Sequence, residues 1–107
     1  MAETQNNTQD ALLEAILNEL DMTYADDTLK KKIADIQRRG DGYLQSKYGG
    51  VIDYSQDMQA RELLFSYCRY GRSNAIEQFE NDFLSEITEL GIRGGIAAMK
   101  EGAESGE

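Results

Sequence analysis

Asn74-Ala-Ile-Glu-Gln-Phe-Glu-Asn-Asp-Phe-Leu-Ser-Glu-Ile-Thr-Glu-Leu90 is the stretch on which the fold class turns. Its apolar residues Ile76, Phe79, Phe83, Ile87 and Leu90 recur every three or four positions, with acids between them, which is one face of an amphipathic helix. Asn74 followed by Glu77 reads as a variant capping box opening that helix. Gly91 is expected to stop it.

Three more segments repeat the pattern. Leu12, Leu13, Ile16, Leu17 and Leu20 predict a first helix from about Thr8, a plausible N-cap, to Asp21. Asp26 or Asp27 can cap a second, whose face is Leu29, Ile33, Ile36, Tyr43 and Leu44, ended by Gly49-Gly50. Gly40 and Gly42 inside it cost roughly 1 kcal/mol each relative to alanine, so a kink, an early end or close packing must account for them. Val51-Ile52-Asp53-Tyr54 is an apolar link that could be extended, and Ser55 or Asp57 opens a third helix with Ala60, Leu63, Leu64, Tyr67 and Cys68 inward. Gly71-Arg72-Ser73 is the expected break. The prediction is an all-α, four-helix domain over 8–90, with a tail at 1–7 and a glycine-rich acidic tail at 91–107, both expected to be mobile on their own.

With 107 residues the chain has room for one domain with a thin core. No apolar run is long enough for a membrane span, and the first residues lack the pattern of a secretion signal. One cysteine and no histidine leave no internal disulfide and no material for a zinc site; the reducing cytosol is the simplest compartment. Without histidine most proton-shuttle and triad chemistry is gone as well, so no catalytic residue, metal or cofactor is expected. Asp26-Asp27 and Asp41-Gly42 lack the alternating acids and final glutamate of a calcium loop, and read as caps and turns. Cys68 reads as a small buried hydrophobe. The six tyrosines, Tyr24, Tyr43, Tyr48, Tyr54, Tyr67 and Tyr70, suit either an interface or the edge of the domain core.

Charge is distributed in blocks. The net charge is -9, but residues 1–27 carry -7, 28–50 carry +4, 51–72 are neutral, 73–90 carry -5 and 91–107 carry -1. The bases Lys30, Lys31, Lys32, Arg38 and Arg39 could form a solvated helix face or contact DNA phosphates in a helix-turn-helix arrangement. They could also face the acids Glu77, Glu80, Asp82 and Glu86 of another copy, a head-to-tail contact that generates rings or filaments.

Three segments carry a resemblance: Leu20-Asp-Met-Thr-Tyr-Ala-Asp-Asp27, Ala60-Arg-Glu-Leu-Leu-Phe-Ser-Tyr-Cys-Arg-Tyr70, and Ser73-Asn-Ala-Ile-Glu-Gln-Phe-Glu-Asn-Asp-Phe-Leu-Ser-Glu-Ile-Thr-Glu-Leu90. In these the chain resembles the phage head-tail connector family, also called adaptor or head-completion proteins; Tyr67-Cys-Arg-Tyr70, followed at the family's spacing by Asn-Ala and Phe-Glu-Asn-Asp-Phe, is the most specific part. The resemblance implies a small all-α virion protein without enzymatic activity. It would form a ring, expected to be dodecameric, beneath the portal protein at the neck, after assembly in the host cytoplasm. It would extend the DNA channel without binding DNA specifically, involve no membrane, and offer a platform for stopper or tail-completion proteins. Under that reading the bases of the second helix are used between subunits rather than in the lumen, and Ile92, Ile96 and Met99 dock on the portal, a neighbour or the tail. The competing expectation is a small packaging or regulatory DNA-binding protein that uses the basic helix.

Overall fold

A computed structural model describes the backbone of residues 2–22 and 24–105, and the side chains of 11–22 and 24–101. Over the described residues it is all-helical, with five helices rather than four: α1 (Ala2–Glu19), α2 (Asp27–Tyr48), α3 (Met58–Arg72), α4 (Ile76–Asp82) and α5 (Leu84–Ser105). The expected fourth helix is α4 and the start of α5, bent at Phe83. Hydrogen bonds from Phe83 N to Phe79 O and from Ile87 N to Phe83 O run through that bend. No described helix is long and apolar enough to cross a membrane.

The helix ends follow from local chemistry. Asp26, not Asp27, caps α2 by accepting from the Leu29 N–H at 2.8 Å. Asp57, not Ser55, caps α3 through Ala60 N–H at 3.1 Å, while Ser55 bonds to Asp53 in the preceding turn. Besides Gly49, at φ 86° after α2, two ends use a left-handed residue other than glycine. At the end of α1 Asp21 adopts φ 58°, with Met22 N–H donating to Leu17 O and Asp21 N–H to Asn18 O. At the end of α3 Asn74 adopts φ 59°, with Ala75 N–H donating to Tyr70 O and Asn74 N–H to Gly71 O. Both are Schellman closures, which favour glycine or a short polar side chain at that position. Asn74 therefore ends α3 instead of capping α4, whose N-cap position is Ala75 and has no side-chain bond.

Both predicted tails differ in the structure. Helix α1 begins ahead of Thr8, at Ala2, and the side-chain cap expected from Thr8 lies outside the described residues. Gly91 does not stop the last helix, which continues through three glycines to Ser105. Its packing gives the reason: Gly91 and Gly94 lie against the backbone at the end of α2. A methyl group at Gly91 would stand 3.3 Å from the Lys47 carbonyl oxygen, and one at Gly94 would overlap the Tyr48 carbonyl, 2.6 Å from its carbon. Contact with α2 supplies what the composition of this segment lacks on its own.

Helix α2 is the centre, with α3 and α5 packed on it and α1 lying across α2 and α3. The α2–α3 crossing is reciprocal. A methyl group at Gly40 would meet the Tyr67 ring at 2.7 Å, and one at Gly71 would meet Ile36 at the same distance. Of the explanations open for Gly40, close packing holds; Gly42 has no neighbour within 4 Å. The link after α2 contains no strand: Ile52 and Tyr54 are buried and Val51 stands out. The core joins Ile16, Leu17, Ile33, Leu44, Leu63, Leu64, Cys68, Phe79 and Leu90, all nearly inaccessible. Its aromatic end gathers Tyr43, Tyr67, Tyr70 and Phe83 about Phe79, with ring centroids 5.4 to 6.3 Å from Phe79 for the tyrosines and 5.2 Å for Phe83. The radius of gyration, 15.0 Å, exceeds the roughly 13 Å of a spherical domain of this length. The thin core expected from chain length is realised as a slab with extents of 52 × 37 × 17 Å.

Candidate interaction surfaces

The bases of α2 do not form one patch. Successive helical residues turn by about 100°, so Lys30, Lys31 and Lys32 fan out, with Lys30 half-buried and the other two exposed. Lys31, Asp35 and Arg38 share one line of the helix. Asp35 pairs with both Arg38 and Arg39, at 3.4 Å for the latter. All three side chains stay more than half exposed, so these pairs contribute little to stability and leave the arginines presented to solvent. Lys30, Lys31 and Lys32 make no ion pair among the described residues.

Two acids of α4 lie at the aromatic end of the slab. Glu80 accepts a hydrogen bond from the Tyr43 hydroxyl at 3.1 Å, and Asp82 accepts from Tyr70 and from Gln78, both at 2.8 Å. Burial, the bond to Glu80 and the charge of Glu80 push the Tyr43 hydroxyl up to about 12. The bonds from Tyr70 and Gln78 hold the Asp82 carboxyl below its ordinary value. Glu77 is exposed and Glu86 half-buried. Glu80 thus reaches α2 of its own chain, and the basic and acidic blocks touch at Tyr43, where Lys47 also lies 5.3 Å over the ring. Of the six tyrosines, five pack on the domain and Tyr24 alone is fully exposed, which favours the domain-edge reading for the other five.

Cys68 is inaccessible, and burial pushes its thiol up to about 12, as a small core hydrophobe requires. Among the described residues no three acids or cysteines converge as a metal site.

Sequence periodicity gave no sign of the anchor of α5. Arg93 donates two bonds to the Asp57 carboxylate, at 2.8 and 3.2 Å, and one to Gln59 Oε1 at 3.0 Å; Gln59 in turn donates to Glu89 at 2.8 Å. One guanidinium therefore ties α5 to the N-cap of α3. A cation facing an N-cap aspartate, with glycines at 91 and 94 on the adjoining side, was the only sequence trace of this docking. Burial would raise the Asp57 carboxyl, but Arg93 and the Ala60 N–H outweigh it and leave it below the ordinary 3.8. A lowered folded value means that the group stabilises the fold above that ordinary value and loses its contribution as pH falls through its own. Arg93→Gln is expected to cost roughly 1 kcal/mol at neutral pH, because the pair is partly exposed. That deficit should close on acidification below about pH 4, a convergence read from urea midpoints of the two proteins at a series of pH values.

The opposite side of α5 is bare. Ile92, Ile96 and Met99 are 58%, 48% and 75% exposed, and Leu84 at the head of the helix is 64% exposed. Ile92, Ile96 and Met99 project away from Ile87, Leu90 and Gly94, which face inward. The three residues expected to dock on a partner are thus together, on one outward stripe.

No family model, curated protein or solved structure matches this chain.

Proposed function

We propose that this protein is a structural connector of the phage head-tail type, acting by contacts with copies of itself and with neighbouring virion proteins rather than by catalysis. The carrying observation is the outward stripe Ile92, Ile96 and Met99 on a helix whose other side is firmly docked. An apolar face of this kind on a small charged domain is the mark of a contact surface. The motif residues behind the resemblance support it structurally: Tyr67, Tyr70, Phe79 and Phe83 build the aromatic end of the core, which presents Glu80 and Asp82 at the rim. In this reading Lys31, Lys32, Arg38 and Arg39 of one subunit face Glu77, Glu80, Asp82 and Glu86 of the next, forming a ring under the portal. The stripe on α5 meets the portal or the tail-completion protein.

Electron microscopy of the purified protein, alone and mixed with tail-free heads carrying the portal, tests the reading. Rings, or new density beneath the portal, are the expected result; heads unchanged by saturating protein would overturn it. Retention on DNA separates the competing role. A binder using five bases would show a log-log salt slope of about -4 to -5. The connector should be washed through at low salt, as its net charge of -9 favours.

A further inference from the structure

The stripe on α5 has a geometry of its own. Taking Ile92 as the reference direction, Ile96 and Met99 lie within about 40° of it, Gly95 about 60° to one side, and Glu89 and Lys100 about 60° and 80° to the other. Over the three turns from 89 to 100 this outward face therefore has an apolar centre, a glycine on one flank and one charge of each sign on the other. Gly95 has no neighbour within 4 Å, so packing within the chain, which accounts for Gly91 and Gly94, does not account for it. Lys100 is exposed and makes no ion pair among the described residues, and Glu89 is exposed with one oxygen bonded by Gln59.

We propose that this face pairs with the same face of a second copy, the two α5 helices running antiparallel about a two-fold axis between positions 94 and 95. An antiparallel two-fold keeps the charged flank of one helix beside the charged flank of the other. With the axis there, Glu89 stands level with the second copy's position 100 and Lys100 level with its position 89, so two opposite-charge pairs close on one rim. The apolar side chains then interleave along the seam, with Ile96 of each copy level with a point between Ile92 and Ile96 of the other. On the opposite rim the two glycines at 95 lie within about one residue rise, 1.5 Å, of each other along the helix direction, where absent side chains let the backbones approach. A parallel two-fold would put the charged flanks on opposite rims and leave Glu89 and Lys100 without a partner across the seam. The inference concerns the free protein and does not depend on the connector reading, which it complements by covering the stripe until another partner displaces the second copy.

Sedimentation equilibrium from micromolar to millimolar protein should show a monomer–dimer equilibrium. Ile96→Glu should raise the dissociation constant by about 100-fold or more, since the substitution enters the interface twice, with far-UV circular dichroism unchanged because Ile96 is half-exposed. Glu89→Lys and Lys100→Glu should each weaken the dimer, and the double exchange should restore it. Gly95→Cys should give an intermolecular disulfide under mild oxidant, with the buried Cys68 taking no part. A protein monomeric at millimolar concentration would overturn the proposal, and so would a dimer indifferent to Ile96→Glu. A ring that forms without the portal and is indifferent to Ile96→Glu would overturn it while supporting the connector.

Discussion

Phe79→Ala should bring the domain close to unfolding at ambient temperature. Phe79 is fully buried and is the ring around which Tyr43, Tyr67, Tyr70 and Phe83 pack. Its loss removes the apolar transfer energy of the side chain and four edge or tilted ring contacts, and leaves a cavity that residues on three helices would have to collapse to fill. The expected cost is about 3–5 kcal/mol, against a total stability of roughly 5–15 kcal/mol for a domain of ordinary stability. Thermal unfolding followed at 222 nm should show a melting temperature at least ~12 °C lower, taking about 4–8 °C per kcal/mol. Phe83→Ala, at a half-buried position of the same cluster, should cost less. Equal effects at the two positions would mean that Phe79 is not the hub.

Gly94→Ala is the second large effect, and its direction is opposite to that of its neighbour. An alanine methyl at 94 would occupy the space of the Tyr48 backbone, which is held in place by the last turn of α2 and cannot yield as a side-chain tip could. Overpacking against backbone is expected to cost about 3 kcal/mol, the upper end for added methyl groups, and to separate α5 from α2. Gly95→Ala meets nothing and should stabilise the isolated helix by up to ~1 kcal/mol through helix propensity alone. The two variants differ by one position, so their melting temperatures compare the two faces of α5 directly. Amide exchange along 84–101 should rise strongly in Gly94→Ala and not in Gly95→Ala. Identical behaviour would contradict the close approach of α5 and α2.

The inward positions of the helices were legible because a helix that must bury one side repeats its apolar residues every three or four positions, whatever it packs against. Ile16, Leu17, Ile33, Leu44, Leu63, Leu64, Phe79, Ile87 and Leu90 all went where their spacing indicated. Ile92, Ile96 and Met99 were legible only as apolar residues in a segment too polar to form a core; that they share one face follows from the continuation of α5 past Gly91. Helix ends were less readable. Asn74 suits both the end of one helix and the start of the next, since its side chain caps an N-terminus as readily as its backbone tolerates a left-handed turn. The path of α3 decided between them. Gly91 likewise has the local chemistry of a stop, yet it serves as a close-packing residue, because α2 ends beside it.

What the sequence by itself determined is the all-α class, the inward face of each helix, the absence of histidine and disulfide chemistry, and the division of charge into blocks. These are properties of composition and short-range periodicity, which act within one turn of a helix. Only the tertiary structure decided that the final segment is helical to Ser105, that Gly40, Gly71, Gly91 and Gly94 are points of close approach, and that Arg93 locks α5 onto Asp57. Each of these depends on residues tens of positions apart meeting in space, and a glycine carries no local mark of which backbone will come to rest against it. The same distinction separates Gly94 from Gly95: adjacent in the chain, one is filled by α2, and the other is open on the face that we propose a second copy covers.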